Sequence, residues 1–332
     1  MIFDFFFYSK EYIVMQTEYM IGIIVGVILV LGVTIAFLNT KEEMTGACMK
    51  KGVGLPKYYE FGKDKSLTKH VDRKFIDQLN VRWYYNWSKT IPFASNAEFI
   101  PMIWGKNSFG PITDSRYLLG FNEPDHPCQS NATVNEVITP YNIIYRNQQM
   151  MSEVFTAARR KFNHCSKTAG KAEFVMKPRE PTLNDSKSFW TQIRDYKKIT
   201  GSPACASDVL KPNSWFRRFH TAAANRYDFI TIHKYHVIDP YKFIRYLQEV
   251  YKTFRKPIWV TEYAPQTYGE SKSSPNKYTQ AQIDTFIKVT SKWMNETSYI
   301  HRYAWHHSYV GRCALFDKDG NLTATGKTYA SC

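Results

Sequence analysis

Apolar positions divide the chain into two unlike parts. From Met20 to Leu38 the sequence runs 19 residues without a charged side chain. As a helix that is about 28 Å, enough to span the hydrocarbon of a bilayer. A cleaved signal peptide usually has an apolar region of about 7–15 residues and a small-x-small exit, which Phe37-Leu38-Asn39-Thr40 does not offer. The stretch is expected to be an uncleaved transmembrane helix, with residues 1–19 as a tail before it and 39–50 as a polar linker after it.

Beyond residue 50 the pattern changes to short runs of β-branched and aromatic residues separated by helical periodicity. Strands are expected at Gly52–Leu55, Val81–Trp87, Phe99–Trp104, Tyr117–Asn122, Ile199–Ala204, Phe229–Tyr235, Ile258–Tyr263 and His301–His306. Between them, Ser66 is placed to cap a helix carrying Leu67, Val71, Phe75 or Ile76, and Leu79 on one face. Asp239-Pro240 reads as a cap followed by Pro at the first helical position, with Phe243, Leu247, Val250 and Phe254 inward. A third helix is expected from about Thr279 to Asn295, burying Ile283, Phe286, Val289 and Trp293. Eight strands, mostly each followed by a helix, in about 280 residues suit an α/β fold of the (β/α)₈ TIM-barrel type. A doubly wound sheet would want a Gly-rich phosphate turn after its first strand, and there is none. The barrel is expected over 51–332, with an insertion at about 150–198.

Charge adds a question about partners. Lys and Arg number 44 against 29 Asp and Glu, a net +15, which fits either a solvated basic surface or an acidic ligand. The cations are scattered and no recognition motif appears, so nucleic acid is not an expected partner. The six cysteines (Cys48, Cys128, Cys165, Cys205, Cys313, Cys332) contain no C-x-x-C pair; they permit disulfides without requiring them. Asn-x-Ser/Thr sequons at Asn86, Asn131, Asn184, Asn295 and Asn321 favour a glycoprotein domain on the lumenal or extracellular side. Lys41, Lys50, Lys51 and Lys57 pull the other way under the positive-inside rule, although long domains translocate largely regardless of flanking charge.

Candidate chemistry lies at strand ends. In a barrel of this type polar groups at the C-terminal ends of strands reach the functional face. The fourth expected strand runs directly into Asn122-Glu123-Pro124-Asp125, and the seventh into Glu262-Tyr263-Ala264. Two carboxylates across a barrel mouth can straddle a glycosidic bond, one protonating the leaving oxygen while the other attacks the anomeric carbon. Asn122 is placed to donate to a sugar 2-OH; Tyr235 and Tyr263 are candidates for tuning Glu262, although Tyr263 reads more readily as a packed ring. No Gly-x-Ser-x-Gly elbow or P-loop offers a rival chemistry. The histidines at 233, 236, 306 and 307 fit no helix-borne ligand motif, so neither a metal nor another cofactor is expected.

Eight ordered segments then carry a specific resemblance. They are Tyr85-Asn86-Trp87, the run 99–105 (FIPMIWG), 119–125 (LGFNEPD), Gln129-Ser130-Asn131, Gly201-Ser202-Pro203-Ala204, 228–233 (DFITIH), 256–262 (KPIWVTE) and Arg302-Tyr303-Ala304-Trp305. Together they resemble the glycosyl hydrolase catalytic-core family whose characterised members are endo-β-1,3-glucanases, glycoside hydrolase family 128. The resemblance implies a retaining (β/α)₈ hydrolase of β-glucan with Glu123 as general acid/base and Glu262 as nucleophile, their carboxyl groups about 5–5.5 Å apart. It further implies substrate-binding roles for Asn122, His233, Tyr235, Trp104 and Trp305, the two tryptophans as cleft aromatics. The chain departs from the pattern at Lys234, where the family commonly has Trp, and at His306-His307, where it has an aromatic-Gly pair. These substitutions are expected to put polar or cationic groups near the cleft and raise an acidic glycan as a possible substrate. A monomer is expected. A carbohydrate-binding or structural surface protein on the same barrel is the rival reading, and a transglycosylase would use the same residues.

Overall fold

The computed structural model describes residues 48–56, 58–59, 69–165, 178–224, 226–267, 276–306 and 311–331. The chain divides into two compact units, 1–49 and 50–332. The first lies almost wholly outside the described residues, and with it the anchor expected at 20–38. Among the described residues no helix is long and apolar enough to cross a membrane.

The second unit is an α/β fold on eight parallel strands: β1 (Lys51–Gly54), β2 (Trp83–Tyr85), β3 (Glu98–Phe99), β4 (Tyr117–Leu118), β5 (Ile199–Thr200), β6 (Ile230–Tyr235), β7 (Ile258–Ala264) and β8 (Ile300–His306). Six of them form one sheet in the order β3-β2-β1-β8-β7-β6, and β4 pairs with β5. Parallel bridges continue the ladder beyond these short elements. Met102 pairs with Leu119, Gly201 with Phe229, and Cys205 with Ile232. The pairing therefore returns to the strand from which it began.

Local sequence explains most of the helices. Asp239 caps α7 (Pro240–Phe254) by accepting from the N–H groups of Tyr241 and Lys242, with Pro240 at the first turn where its missing donor costs nothing. A capping box between Thr279 and Gln282 starts α8 (Gln280–Glu296). Its buried face is Ile283, Phe286, Ile287, Thr290, Ser291 and Met294, so Val289 and Trp293 lie at its half-buried margin. The first helix, α1 (Arg73–Leu79), begins later than expected and is capped by Asp72. Lys69–His70 pairs antiparallel with Tyr58–Tyr59, which holds the chain extended there; Ser66 and Leu67 lie outside the described residues. No helix follows β2 or β3, because Pro92, Pro101 and Pro111 remove donors from both connections.

The long connection after β4 holds α2 (Val134–Ile138), α3 (Tyr141–Arg146), α4 (Gln148–Cys165) and, after a 3₁₀ turn at Leu183–Ser186, α5 (Phe189–Asp195). A disulfide between Cys128 and Cys165 ties the end of α4 to the loop that follows β4. The circuit is completed by α6 (Trp215–Ala222) before β6 and α9 (Ala324–Ala330) after β8.

Side-chain alternation along the strands separates an inner core from an outer one. The inner core is Trp83, Tyr85, Ile100, Met102, Leu119, Phe229, Trp259 and Ala304. It is filled by pairing large residues with small: a Cβ on Gly52 would lie 2.3 Å from the Trp83 indole. At the N-terminal ends of the strands the Arg302 guanidinium lies 5.6, 4.7 and 4.6 Å from the ring centroids of Trp83, Tyr117 and Trp259 and pairs with Glu98 at 2.5 Å. The outer core packs the other strand face against the helices.

Candidate active site

Both acids owe their positions to irregular backbone. Glu123 has φ +43°, in the left-handed region that costs a non-glycine residue about 1 kcal/mol or more. The turn is held by Glu123 N–H donating to the Ala204 carbonyl at 2.6 Å and His126 N–H donating to the Glu123 carbonyl at 3.0 Å. Asp125 accepts from the N–H groups of Ala206 and Ser207 at 2.9 and 2.8 Å, which pins the turn to the loop after β5.

On β7, strict alternation would send Glu262 the wrong way. Trp259 faces the inner core and Val260 the outer one, so an unbroken pleat would turn Thr261 inward and Glu262 outward. The register against β6 instead steps from Ile232–Val260 to His233–Glu262, leaving Thr261 as an extra residue. This β-bulge reverses the parity and turns Glu262 inward. The Tyr85 hydroxyl donates to the Thr261 carbonyl at 2.9 Å, so the bulge's carbonyl is satisfied from β2.

Donors surround the Glu262 carboxylate. Trp87 Nε1–H donates to Oε1 at 2.9 Å, the Tyr85 hydroxyl lies 3.3 Å from the same oxygen, and the Tyr235 hydroxyl donates to Oε2 in a short contact. His233 Nδ1 is 3.0 Å from Glu123 Oε1 and 3.3 Å from Glu262 Oε2. One imidazole thus stands between both acids, and one oxygen of each carboxylate and the His233 nitrogen all lie within 4.8 Å of one another.

Burial disfavours the charged form of Glu262, but His233, His306 and the hydrogen bonds from Tyr235 and Trp87 outweigh it and hold the carboxyl below its ordinary range. Burial likewise works against imidazolium at His233. The charge of Glu262 and the hydrogen bond and charge of Glu123 prevail, raising the ring above its usual value. Burial and the nearby Glu262 charge push the Tyr85 and Tyr235 hydroxyls well up, so both remain donors.

Among the described residues, Glu123, His233 and Glu262 are the group placed to hold a metal ion. The bonds just described already engage both oxygens of Glu262 and Nδ1 of His233, as a hydrogen-bonded acid pair requires.

Not every expected site residue arrives here. Asn122 is buried next to Glu123; its Nδ2 donates to Gln129 Oε1 at 3.3 Å and its Oδ1 makes no hydrogen bond. Trp104 is half-buried against the inner core. Trp305 is a correction. It alternates outward, is fully buried against Tyr263, Phe286 and Tyr329, and donates Nε1–H to the Cys313 carbonyl at 3.0 Å, so it presents no face to a sugar.

Lys234 is a second correction. It lies on the opposite face of β6 from His233 and Tyr235, its ammonium 3.8 Å from the Tyr246 ring centroid on α7, outside the cleft. Tyr263 is a packed outward ring rather than a partner of the carboxylate. His306 does face the site, edge-on to Trp87 and Tyr235; His307 lies outside the described residues. The residues missed from sequence are Tyr85 and Trp87, although the alternation Trp83, Tyr85, Trp87 already marked one face of the strand expected at Val81–Trp87.

Two carboxylates joined through a histidine at the C-terminal ends of parallel strands define an acid-pair hydrolase site. A sequence profile of the glycosyl hydrolase catalytic core matches residues 62–168 and 175–329. The chain belongs to that family, the one its motifs resemble, and is a glycoside hydrolase.

Among solved structures, a family 128 (subgroup I) endo-β-1,3-glucanase from Amycolatopsis mediterranei in complex with laminaritriose is 24% identical, with 85% of this chain and 99% of that one covered and a TM-score of 0.58. A subgroup V exo-β-1,3-glucanase from Cryptococcus neoformans is 21% identical, with 84% and 97% covered and a TM-score of 0.53. A subgroup VII oligosaccharide-binding protein from Trichoderma gamsii is 18% identical, with 86% and 94% covered and a TM-score of 0.54. No curated protein sequence is significantly similar to this chain.

Proposed function

We propose that this chain is a membrane-anchored, retaining endo-β-1,3-glucanase on a (β/α)₈ barrel. The observation that carries the reading is the approach of Glu123 and Glu262 to within 4.8 Å, oxygen to oxygen, on either side of His233. That spacing supports direct attack, because an inverting pair leaves about 6.5–9.5 Å for a water. Glu262, kept anionic by Trp87, Tyr235 and His233, attacks the anomeric carbon, and the leaving oxygen takes its proton from Glu123. The resulting glycosyl ester is opened by water, whose proton returns to Glu123. Tyr85, Trp87 and Tyr235 fix the attacking oxygens, so the carboxylate needs little reorientation as the bond forms.

The β-1,3 linkage is supported by the similar structures that are β-1,3-glucanases, and endo cleavage by the motif resemblance. The Cys128–Cys165 disulfide and the sequons support a barrel on the lumenal or extracellular side, behind an anchor at 20–38. The protein acts as a monomer without a cofactor.

Laminarin hydrolysis tests the reading. Glu262→Ala should abolish it while glucan binding persists, and proton NMR should show the β anomer released first. Inversion would overturn the two-step mechanism. No turnover on laminarin, lichenan, cellulose or acidic algal glucans would favour an oligosaccharide-binding protein, as in the Trichoderma relative. Longer products at high acceptor concentration would reveal a transglycosylase.

A further inference from the structure

A cavity of about 580 Å³, within the usual size of ligand sites, opens directly beside the acid turn. Pro124 and Asp125, the two residues after Glu123, form one side of it. Glu153 and Arg160 of α4 form another, and Lys211, Trp215 and Arg218, from the β5–α6 loop and α6, form the third. The disulfide to Cys165 and a hydrogen bond from Asn131 Nδ2 to the Ala157 carbonyl at 3.1 Å hold α4 against the acid turn, so this wall has a fixed position.

The charges lining the cavity are unequally engaged. Asp125 is occupied by two backbone donors, and Glu153 accepts from Asn135 Nδ2 at 2.8 Å. Among the described residues none of Arg160, Lys211 and Arg218 makes an ion pair. Three exposed cations therefore border a sugar-sized hollow whose acids already have donors, while Lys234, the cation first expected near the cleft, points elsewhere.

We propose that this cavity binds an anionic group, sulfate or carboxylate, carried by the part of the glucan that departs from Glu123. The assignment rests on the hydrolase reading above, because the side of the leaving group is the side of its proton donor. Arg160 and Arg218 offer the planar forks suited to either oxyanion, and Lys211 adds a mobile charge.

The test compares kcat/KM and affinity on laminarin, sulfated laminarin and oxidised, carboxylate-bearing laminarin. The preference for an anionic glucan over laminarin should be about tenfold at low salt, ~1.4 kcal/mol. It should fall to near unity in Arg160→Gln/Lys211→Gln/Arg218→Gln and persist in Lys288→Gln/Lys292→Gln/Lys327→Gln, whose lysines are equally exposed but lie on α8 and α9. Preference for one anion or both supports the site and distinguishes sulfate from carboxylate. A preference untouched by the first triple variant, or lost equally in the second, overturns it in favour of general charge attraction. Hydrolysis of laminarin without any anion preference also overturns it, leaving the hydrolase reading intact. Anion-selective binding through these three residues without turnover would instead sink the hydrolase reading alone.

Discussion

Among single residues, Tyr235 and Trp87 carry much of what distinguishes Glu262 from an ordinary buried acid. Burial alone would neutralise it, and His233 and His306 together with these two donors reverse that. Tyr235→Phe removes one hydrogen bond to a charged group, worth about 1.5–3 kcal/mol, so kcat should fall roughly 10- to 150-fold. Because the anion loses support, the acid limb of the kcat/KM profile should move to higher pH; a limb that stays in place would show that the hydroxyl does not stabilise the carboxylate.

The same charges link the site to stability. His233 is raised in the folded state, so its stabilisation is complete below the ordinary histidine value of about 6.5 and disappears as pH rises through the raised one. Glu262 is lowered, so its contribution is present above the ordinary carboxyl value and is lost as pH falls through the lowered one. Melting temperature should therefore be highest at weakly acidic pH, and His233→Gln should flatten its decline on the alkaline side.

Elements show why only part of the site could be read from sequence. The apolar runs placed all eight strands, and Asp239-Pro240 and Thr279 marked two helix starts, because caps and hydrophobic periods are local signals. Glu123 and Glu262 stood out as acids at strand ends. The inward turn of Glu262 depends on the extra residue at Thr261, which no local pattern announces. For Trp305 and Lys234 the local signal existed: simple alternation with His306, or with His233 and Tyr235, sends both outward.

Deleting Thr261 should restore an unbroken pleat in which Glu262 directly follows Val260 and still faces inward opposite His233, so laminarin hydrolysis should persist at a reduced level; its complete loss in a protein that folds would mean that the bulge itself, with its carbonyl held by Tyr85, positions the carboxylate. The disulfide was equally illegible, since six scattered cysteines allow many pairings. It closes a separation of 37 residues, so Cys128→Ser should cost about 2–4 kcal/mol in denaturant titration.

For the molecule as a whole, the sequons test the proposed placement of the catalytic unit on the lumenal or extracellular side. In the folded protein Asn131 Nδ2 donates to the Ala157 carbonyl and Asn295 Oδ1 accepts from the Tyr303 hydroxyl, whereas Asn321 is exposed. Expressed with its N-terminal segment in a secretory system, the protein should carry glycan at Asn321 and little at Asn131 or Asn295, as read by peptide mapping after enzymatic deglycosylation. A wholly unmodified chain would argue for a cytosolic barrel.

The stack formed by Arg302 with Trp83, Tyr117 and Trp259 has a consequence for traffic. With that end plugged by a cation and three rings, no strand of polysaccharide can be threaded lengthwise through the cylinder. Saccharide substrate and product must share a single doorway, at the rim that carries the two acids.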